Sequence, residues 1–159
     1  MSLDSEPLRH TGHLLRRAQQ LHVAVWQRDV SAETTSVQFA ALSVIELRPR
    51  ASQQELGRVL DLDRSTIADL VGRLVRRGLV ERERDEDDRR RNALALTAAG
   101  REELSRLRPR VEAIEPTLTA GLGPSERETL RRLLHRVLEH AATHGAPARP
   151  DATAAGPGR

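Results

Sequence analysis

Along most of the chain, apolar side chains recur every three to four positions, the spacing that lines one face of an α-helix. Leu14, Ala18, Leu21 and Val25 predict a first helix from about Gly12 to about Arg28. Thr35-x-x-Gln38 is a capping box: the hydroxyl serves one orphan amide and the glutamine reaches back to another. It predicts a second helix carrying Val37, Ala40, Ala41 and Val44, ending before Pro49. Ser52-x-x-Glu55 repeats the box ahead of Leu56, Val59 and Leu60. Asp63 suits the N-cap of a fourth helix with the stripe Ile67, Leu70, Val71 and Leu74, closed by Gly78. The period then changes. Leu79–Glu83 and Asn92–Leu96 read as short strands around the charged run Arg84–Arg91, which makes a hairpin. Thr97 caps a further helix through Leu104 and Leu107, with a kink expected at Pro109. Ser125-x-x-Glu128 is expected to open the last helix, whose broad apolar face is Leu130, Leu133, Leu134, Val137, Leu138 and Ala141.

Four helices, a hairpin and two more helices predict a mainly α fold with a small β-hairpin wing, a winged helix-turn-helix. Five segments follow: a flexible lead over residues 1–11, a helix over 12–34, the winged unit over 35–100, two helices over 101–144 and a disordered tail over 145–159. The tail is a mixture of Gly, Pro and Ala with no apolar period.

Composition sharpens this picture in three places. In 159 residues, 38% of them hydrophobic, only Trp26 and Phe39 are aromatic, so the core must come from Leu, Val, Ile and Ala. Pairing with a second copy is one way for such a chain to gain burial. Basic residues number 26 against 23 acidic ones, and all of the basic ones are arginine. A genome rich in arginine codons accounts for most of that, so the information lies in where arginines cluster. Cysteine is absent, which removes disulfides and thiolate chemistry. No apolar run is long enough to span a bilayer, and the expected location is the cytoplasm.

In a helix-turn-helix the first helix braces the second, whose exposed face enters the major groove of DNA. Asp61-Leu62-Asp63 is the turn here, and the second helix runs from Arg64 to Arg77. With its stripe buried, the opposite side offers Arg64, Ser65, Thr66, Asp69, Gly72, Arg73 and Arg76. Small polar residues at the amino-terminal end admit close approach to base edges, and the free amides there favour a phosphate. An ordinary amphipathic helix with a solvated face would look similar, but a basic hairpin tip follows. That tip reads Arg84-Asp85-Glu86-Asp87-Asp88-Arg89-Arg90-Arg91. Its acids can pair internally and leave an arginine free for the minor groove, where A·T-rich sequence deepens the negative potential.

These residues resemble the MarR family of bacterial regulators. The likeness lies in Thr35–Leu42, Gln54-Glu55-Leu56-Gly57, Leu62–Ile67, Val71–Arg82, Asp85-x-x-Asp88-Arg89-Arg90 and Leu94-Ala95-Leu96-Thr97-Ala98-Ala99-Gly100. It implies a homodimer whose first helix (within 12–34) and last helices (within 101–144) form the dimerisation base. Two winged lobes would then read half-sites of a palindromic operator in double-stranded DNA. By the same likeness Arg90 is the arginine placed in the minor groove, flanked by Arg89 and Arg91. Asp63, Asp85 and Asp88 support the wing and the reading helix, Asp63 being able to pair with Arg90.

The resemblance also implies a small-molecule effector, with no other cofactor and no metal. Arg16–His22, with Trp26 a turn later, is similar to the first helix of the branch sensing aromatic carboxylates of the protocatechuate or hydroxycinnamate type. Arg16 would then grip the carboxylate, His22 would bond a ring hydroxyl or carboxylate, and Trp26 would be a flat wall; His13 is a weaker candidate. Arg16 and His22 lie about a third of a turn apart around one helix; two subunits each contributing one would let them converge, and whether they come from the same or opposite subunits stays open. An intersubunit ion pair for Arg16, an interface histidine at His22 and a core position for Trp26 remain open at this stage. Rival readings are a sensor of neutral lipophilic compounds and an architectural DNA-binding protein with no effector. An enzyme has little support: there is no Gly-rich phosphate loop, nucleophile elbow or metal-spaced His/Cys set.

Overall fold

A computed structural model describes residues 10–84 and 92–144. The expected flexible lead (save residues 10 and 11), the tip 85–91 and the tail 145–159 lie outside the described residues. The order is α1 (Thr11–Val25), a π-helical turn (Trp26–Val30), α2 (Ser36–Leu47), α3 (Gln53–Leu60), α4 (Arg64–Arg76), β1 (Val80–Arg84), β2 (Asn92–Leu96), α5 (Ala98–Leu118) and α6 (Pro124–His144). Residues 1–120 and 121–159 form two compact units.

Local hydrogen bonding sets the boundaries in the first unit. Thr35 and Gln38 form the full capping box of α2, and Ser52 and Glu55 that of α3. Asp61 is left-handed (φ 52°) and ends α3; its neighbour Asp63 caps α4. Gly78 turns the chain out of α4 at φ 69°, a conformation that costs glycine little. β1 and β2 then pair antiparallel, Val80 opposite Leu96 and Arg82 opposite Leu94. Residues 50–52 add a short edge to β2, because Leu94 donates to the Ala51 carbonyl (3.0 Å) and accepts from the Arg50 amide (3.2 Å).

One core lies beneath these elements. Leu42 and Ile45 of α2, Leu56 of α3, Ile67, Val71 and Leu74 of α4, Val80 and Leu94 of the hairpin and Leu104 of α5 are all buried in it. A second cluster joins Val25, Trp26 and Val30 to Leu107 and Ile114 of α5. Thr97 caps α5 and Gly100 follows on its first turn, where an added Cβ would run into the Leu79 carbonyl. That close approach explains why Leu-Thr-x-x-Gly is written with glycine.

Several expectations change. The buried face of α2 is Gln38, Ala41, Leu42 and Ile45, and Val37 is exposed, because α2 packs that face on α3, α5 and β2. Val59 is exposed too. Of the α1 stripe only Val25 is buried. α5 runs through Pro109 and Pro116 as one helix. α6 starts one residue before the Ser125 box: Pro124 takes the first helical position, where its missing amide costs nothing. The Gly123 amide, one residue earlier, donates to Glu126 Oε2 (2.7 Å). No residue of α6 is buried.

Candidate functional site

The exposed face of α4 is built from its cap upward. Asp63 Oδ1 accepts from the amides of Ser65 and Thr66 (2.9 Å each) and from Ser65 Oγ (2.6 Å). Its Oδ2 accepts from Thr66 Oγ1 (2.5 Å). The Ser65 hydroxyl, the Thr66 hydroxyl and the two amides hold the Asp63 carboxyl far below the usual carboxylate range, so it is an anion at neutral pH. One consequence follows for the two hydroxyls. Each spends its hydrogen on Asp63 and offers only lone pairs outward, which suits a base-edge donor such as a cytosine or adenine amino group.

Further along, Arg73 Nη2 donates to Asp69 Oδ2 at 2.6 Å, and both side chains are more than half exposed. This pair lies on the exposed face, and the remaining N–H donors of the Arg73 guanidinium stay available to a phosphate or base. Arg64 and Arg76 are exposed. The Arg76 guanidinium lies back over Gly72, where an added Cβ would be 3.4 Å from Nη1. All the α4 residues expected to face DNA are therefore on the exposed side. The wing residues Asp85, Asp88, Arg89, Arg90 and Arg91 lie outside the described residues, and with them the expected pairing of Asp63 with Arg90.

The expected effector residues fall into two pairs. Arg16 is exposed on α1, its Nη2 3.4 Å from Nδ1 of the half-buried His13. Six residues on, His22 meets Trp26 edge-on, with ring centroids 5.9 Å apart. Trp26 is a core residue at 5% exposure; its ring packs on Phe39 (5.7 Å), and its Nε1 donates to the Thr34 carbonyl at 2.7 Å. Of the two readings left open for Trp26, this burial favours the core position over a ligand wall.

Trp26 leads to a polar junction that the sequence does not announce. Thr34 is fully buried, and its Oγ1 donates to Glu103 Oε1 of α5 (2.6 Å) while accepting from Arg77 Nη2 (3.0 Å). Arg77, the C-cap of α4, also donates through Nη1 to the Glu33 carbonyl (3.2 Å) and to Gln38 Oε1 (3.3 Å). Burial raises the Glu103 pKa, but hydrogen bonds from Thr34 and Arg106 and the charges of Arg106 and Arg77 outweigh it and leave it lowered. The partners are separated by 43 and 69 positions in the chain, so no spacing rule could find them. The only local signal is the position of Arg77 in the last turn of a helix, where a cation meets the negative end of the dipole.

Comparison with known proteins agrees with this geometry. The sequence profile of the MarR family matches residues 33–91. The chain is 33% identical over 141 residues to the HTH-type transcriptional repressor NicR of Pseudomonas putida, spanning 86% of this chain and 89% of that protein. The crystal structure of the PcaV transcriptional regulator from Streptomyces coelicolor, in complex with its natural ligand, is similar with a TM-score of 0.82. Identity there is 40%, over 89% of this chain and 99% of PcaV. BpsR of Bordetella bronchiseptica, whose DNA binding is regulated by 6-hydroxynicotinic acid, is similar with a TM-score of 0.78 and 31% identity, over 82% of this chain and 94% of BpsR. Agreement of this extent in both sequence and fold means that the chain belongs to the MarR family of winged-helix regulators, DNA-binding proteins of transcription rather than enzymes.

Proposed function

We propose that this regulator is a cytoplasmic homodimeric repressor that holds a palindromic operator and leaves it when a small aromatic carboxylate binds. The observation that carries the reading is the capped α4, whose polar face of Ser65, Thr66, Asp69, Arg73 and Arg76 is exposed while Ile67, Leu70, Val71 and Leu74 seal its back. Arg64 and the wing arginines Arg89, Arg90 and Arg91 add the cations that hold the backbone and the minor groove, with Asp85 and Asp88 steadying the tip. Apolar residues exposed on α1 and α6, among them Leu14, Leu15, Leu21, Leu133 and Leu134, are the surface that a second copy covers. Among the described residues no helix is long and apolar enough to cross a membrane.

Similarity to PcaV with its ligand and to BpsR with 6-hydroxynicotinic acid supports an acidic aromatic effector. Arg16 is the cation for its carboxylate, through a charge-assisted and potentially bidentate pair. His13 and His22 supply ring nitrogens. Trp26 backs His22 from the core. The ligand releases DNA to the extent that it prefers the arrangement unfit for the operator, and a coupling of about 1–3 kcal/mol gives roughly 5–150-fold.

The test is fluorescence anisotropy on a duplex selected from a random pool by this protein, titrated with protocatechuate, a hydroxycinnamate and 6-hydroxynicotinate. Release by at least one acid, lost in Arg16→Ala while duplex affinity stays, is the expected result. Release by neutral lipophiles alone, or indifference to every compound, overturns the acid-sensing part. Failure to bind any duplex at low salt overturns the whole reading.

A further inference from the structure

The stripe of α4 fixes its middle, but the junction at Thr34 fixes its end. Beyond Leu74 the helix is held by Arg77, whose guanidinium reaches the Glu33 carbonyl, Gln38 Oε1 and Thr34 Oγ1. Thr34 has every polar atom engaged. Its hydroxyl hydrogen goes to Glu103 of α5, a lone pair to Arg77 of α4, its carbonyl to the Trp26 indole and its amide to Ser31 Oγ (2.9 Å). One fully buried residue thus ties the C-terminus of α4, the flank of α5 and the π-helical turn after α1 to the entrance of α2. That turn is itself wider than an α-helix, with the Ser31 amide donating to the Trp26 carbonyl at 3.0 Å. Extra turns of this kind concentrate at functional sites.

We propose that Thr34, Arg77 and Glu103 form a positioning junction that sets the pose of α4 for operator binding and links that pose to Trp26. The proposal rests on α4 being the DNA-reading helix. The physical reason is leverage. At 1.5 Å per residue α4 is ~20 Å long, so a displacement at its Arg77 end tilts the whole reading face. Hydrogen bonds to bases weaken steeply with small errors of distance and angle. Breaking either bond of Thr34 Oγ1 leaves a fully buried hydroxyl and its charged partner each short of a hydrogen bond, so the junction favours being wholly made or wholly rearranged. A hydrophobic brace in the same position would permit sliding.

Trp26 is the chain's only tryptophan, so its indole N–H is a unique reporter of the Thr34 carbonyl. The experiment follows the 15N-labelled indole signal of the full-length protein while the selected operator duplex is added, in the wild type, Thr34→Val, Thr34→Ser and Arg77→Gln. In the wild type the indole signal moves on duplex binding. Thr34→Val and Arg77→Gln weaken the operator complex ~10-fold and lose that movement, whereas Thr34→Ser keeps the hydroxyl and restores both. An indole signal identical in free and bound wild type overturns the proposal, and needs no variant to fold. So does a Thr34→Val protein with weaker binding or a lower Tm whose indole signal still moves as in the wild type, the behaviour of a mere brace. A protein that binds no duplex removes the task of the junction, and that failure is visible directly in the anisotropy rather than in the indole signal.

Discussion

Helices α4 and α6 carry the same kind of pattern and meet opposite fates. α4, with 13 residues, buries Ile67, Leu70, Val71 and Leu74 against its own chain. α6, with 21, presents Leu130, Leu133, Leu134, Val137 and Leu138, and each stays 39–61% exposed. Amphipathicity specifies that a face must be covered and says nothing of what covers it. For α4 the cover comes from α3 and β1. For α6 no described residue is buried, and under the function proposed above its cover is a second copy. The winged lobe thus seals its own core, whereas the helix beyond residue 121 does not.

That contrast can be broken most directly in the lobe. Leu74→Ala, at a fully buried site, is expected to destabilise the protein by about 2–5 kcal/mol, read as a lowered denaturant midpoint. A cost below ~1 kcal/mol would mean that the lobe core is not the sealed unit described.

Leu134→Asp tests the other side. Sedimentation should show monomers at micromolar concentrations, with operator affinity down on the order of 100-fold because two half-sites are no longer bound together. Far-UV circular dichroism of the lobe's helices should survive. An intact dimer in this variant would assign the α6 face to something other than a second copy.

Gly100→Ala sharpens the account of how the wing is seated. The added methyl meets the Leu79 carbonyl, backbone that leads directly into β1, so it cannot be relieved by turning a side chain. Stability should fall by about 1–3 kcal/mol, with hydrogen exchange fastest in β1.

The smallest effect is at the cap of α4. Because the folded Asp63 pKa is lowered, its contribution is complete above the ordinary carboxylate range. It is lost as the pH falls below about 4 towards the lowered value. Asp63→Asn preserves a capping acceptor but should flatten that acid limb in pH-dependent unfolding. An unchanged limb would mean that Ser65 and Thr66 do not hold the carboxylate in solution.

Short-range chemistry made much of this molecule readable in advance. Both capping boxes, the Asp63 cap, the α4 stripe and the two strands depend on neighbours within four residues or on a period of 2 or 3.6, and these survive in any tertiary setting. The hairpin came from the change of period, and the family likeness added the expectation of an effector helix.

What the letters could not decide were choices between local options of similar energy. Val37 and Leu42 are both apolar on α2, and only the positions of α3, α5 and β2 bury the second rather than the first. Ser125 offered a box at α6, yet Gly123 with Pro124 and Glu126 makes the start, with the capping position two residues earlier. Trp26 could have faced a ligand. A carbonyl eight residues away, together with Phe39, drew it inward. Thr34, Arg77 and Glu103 are unremarkable in sequence because their meaning is a shared point in space, and loop closure over tens of residues leaves no periodic trace. The amino-acid order therefore settled most of the elements and, α6 apart, where the capped helices begin, since those are bonds between neighbours. Folding alone decided which faces are covered and which distant polar groups must satisfy one another, since burial penalises any group left without a partner.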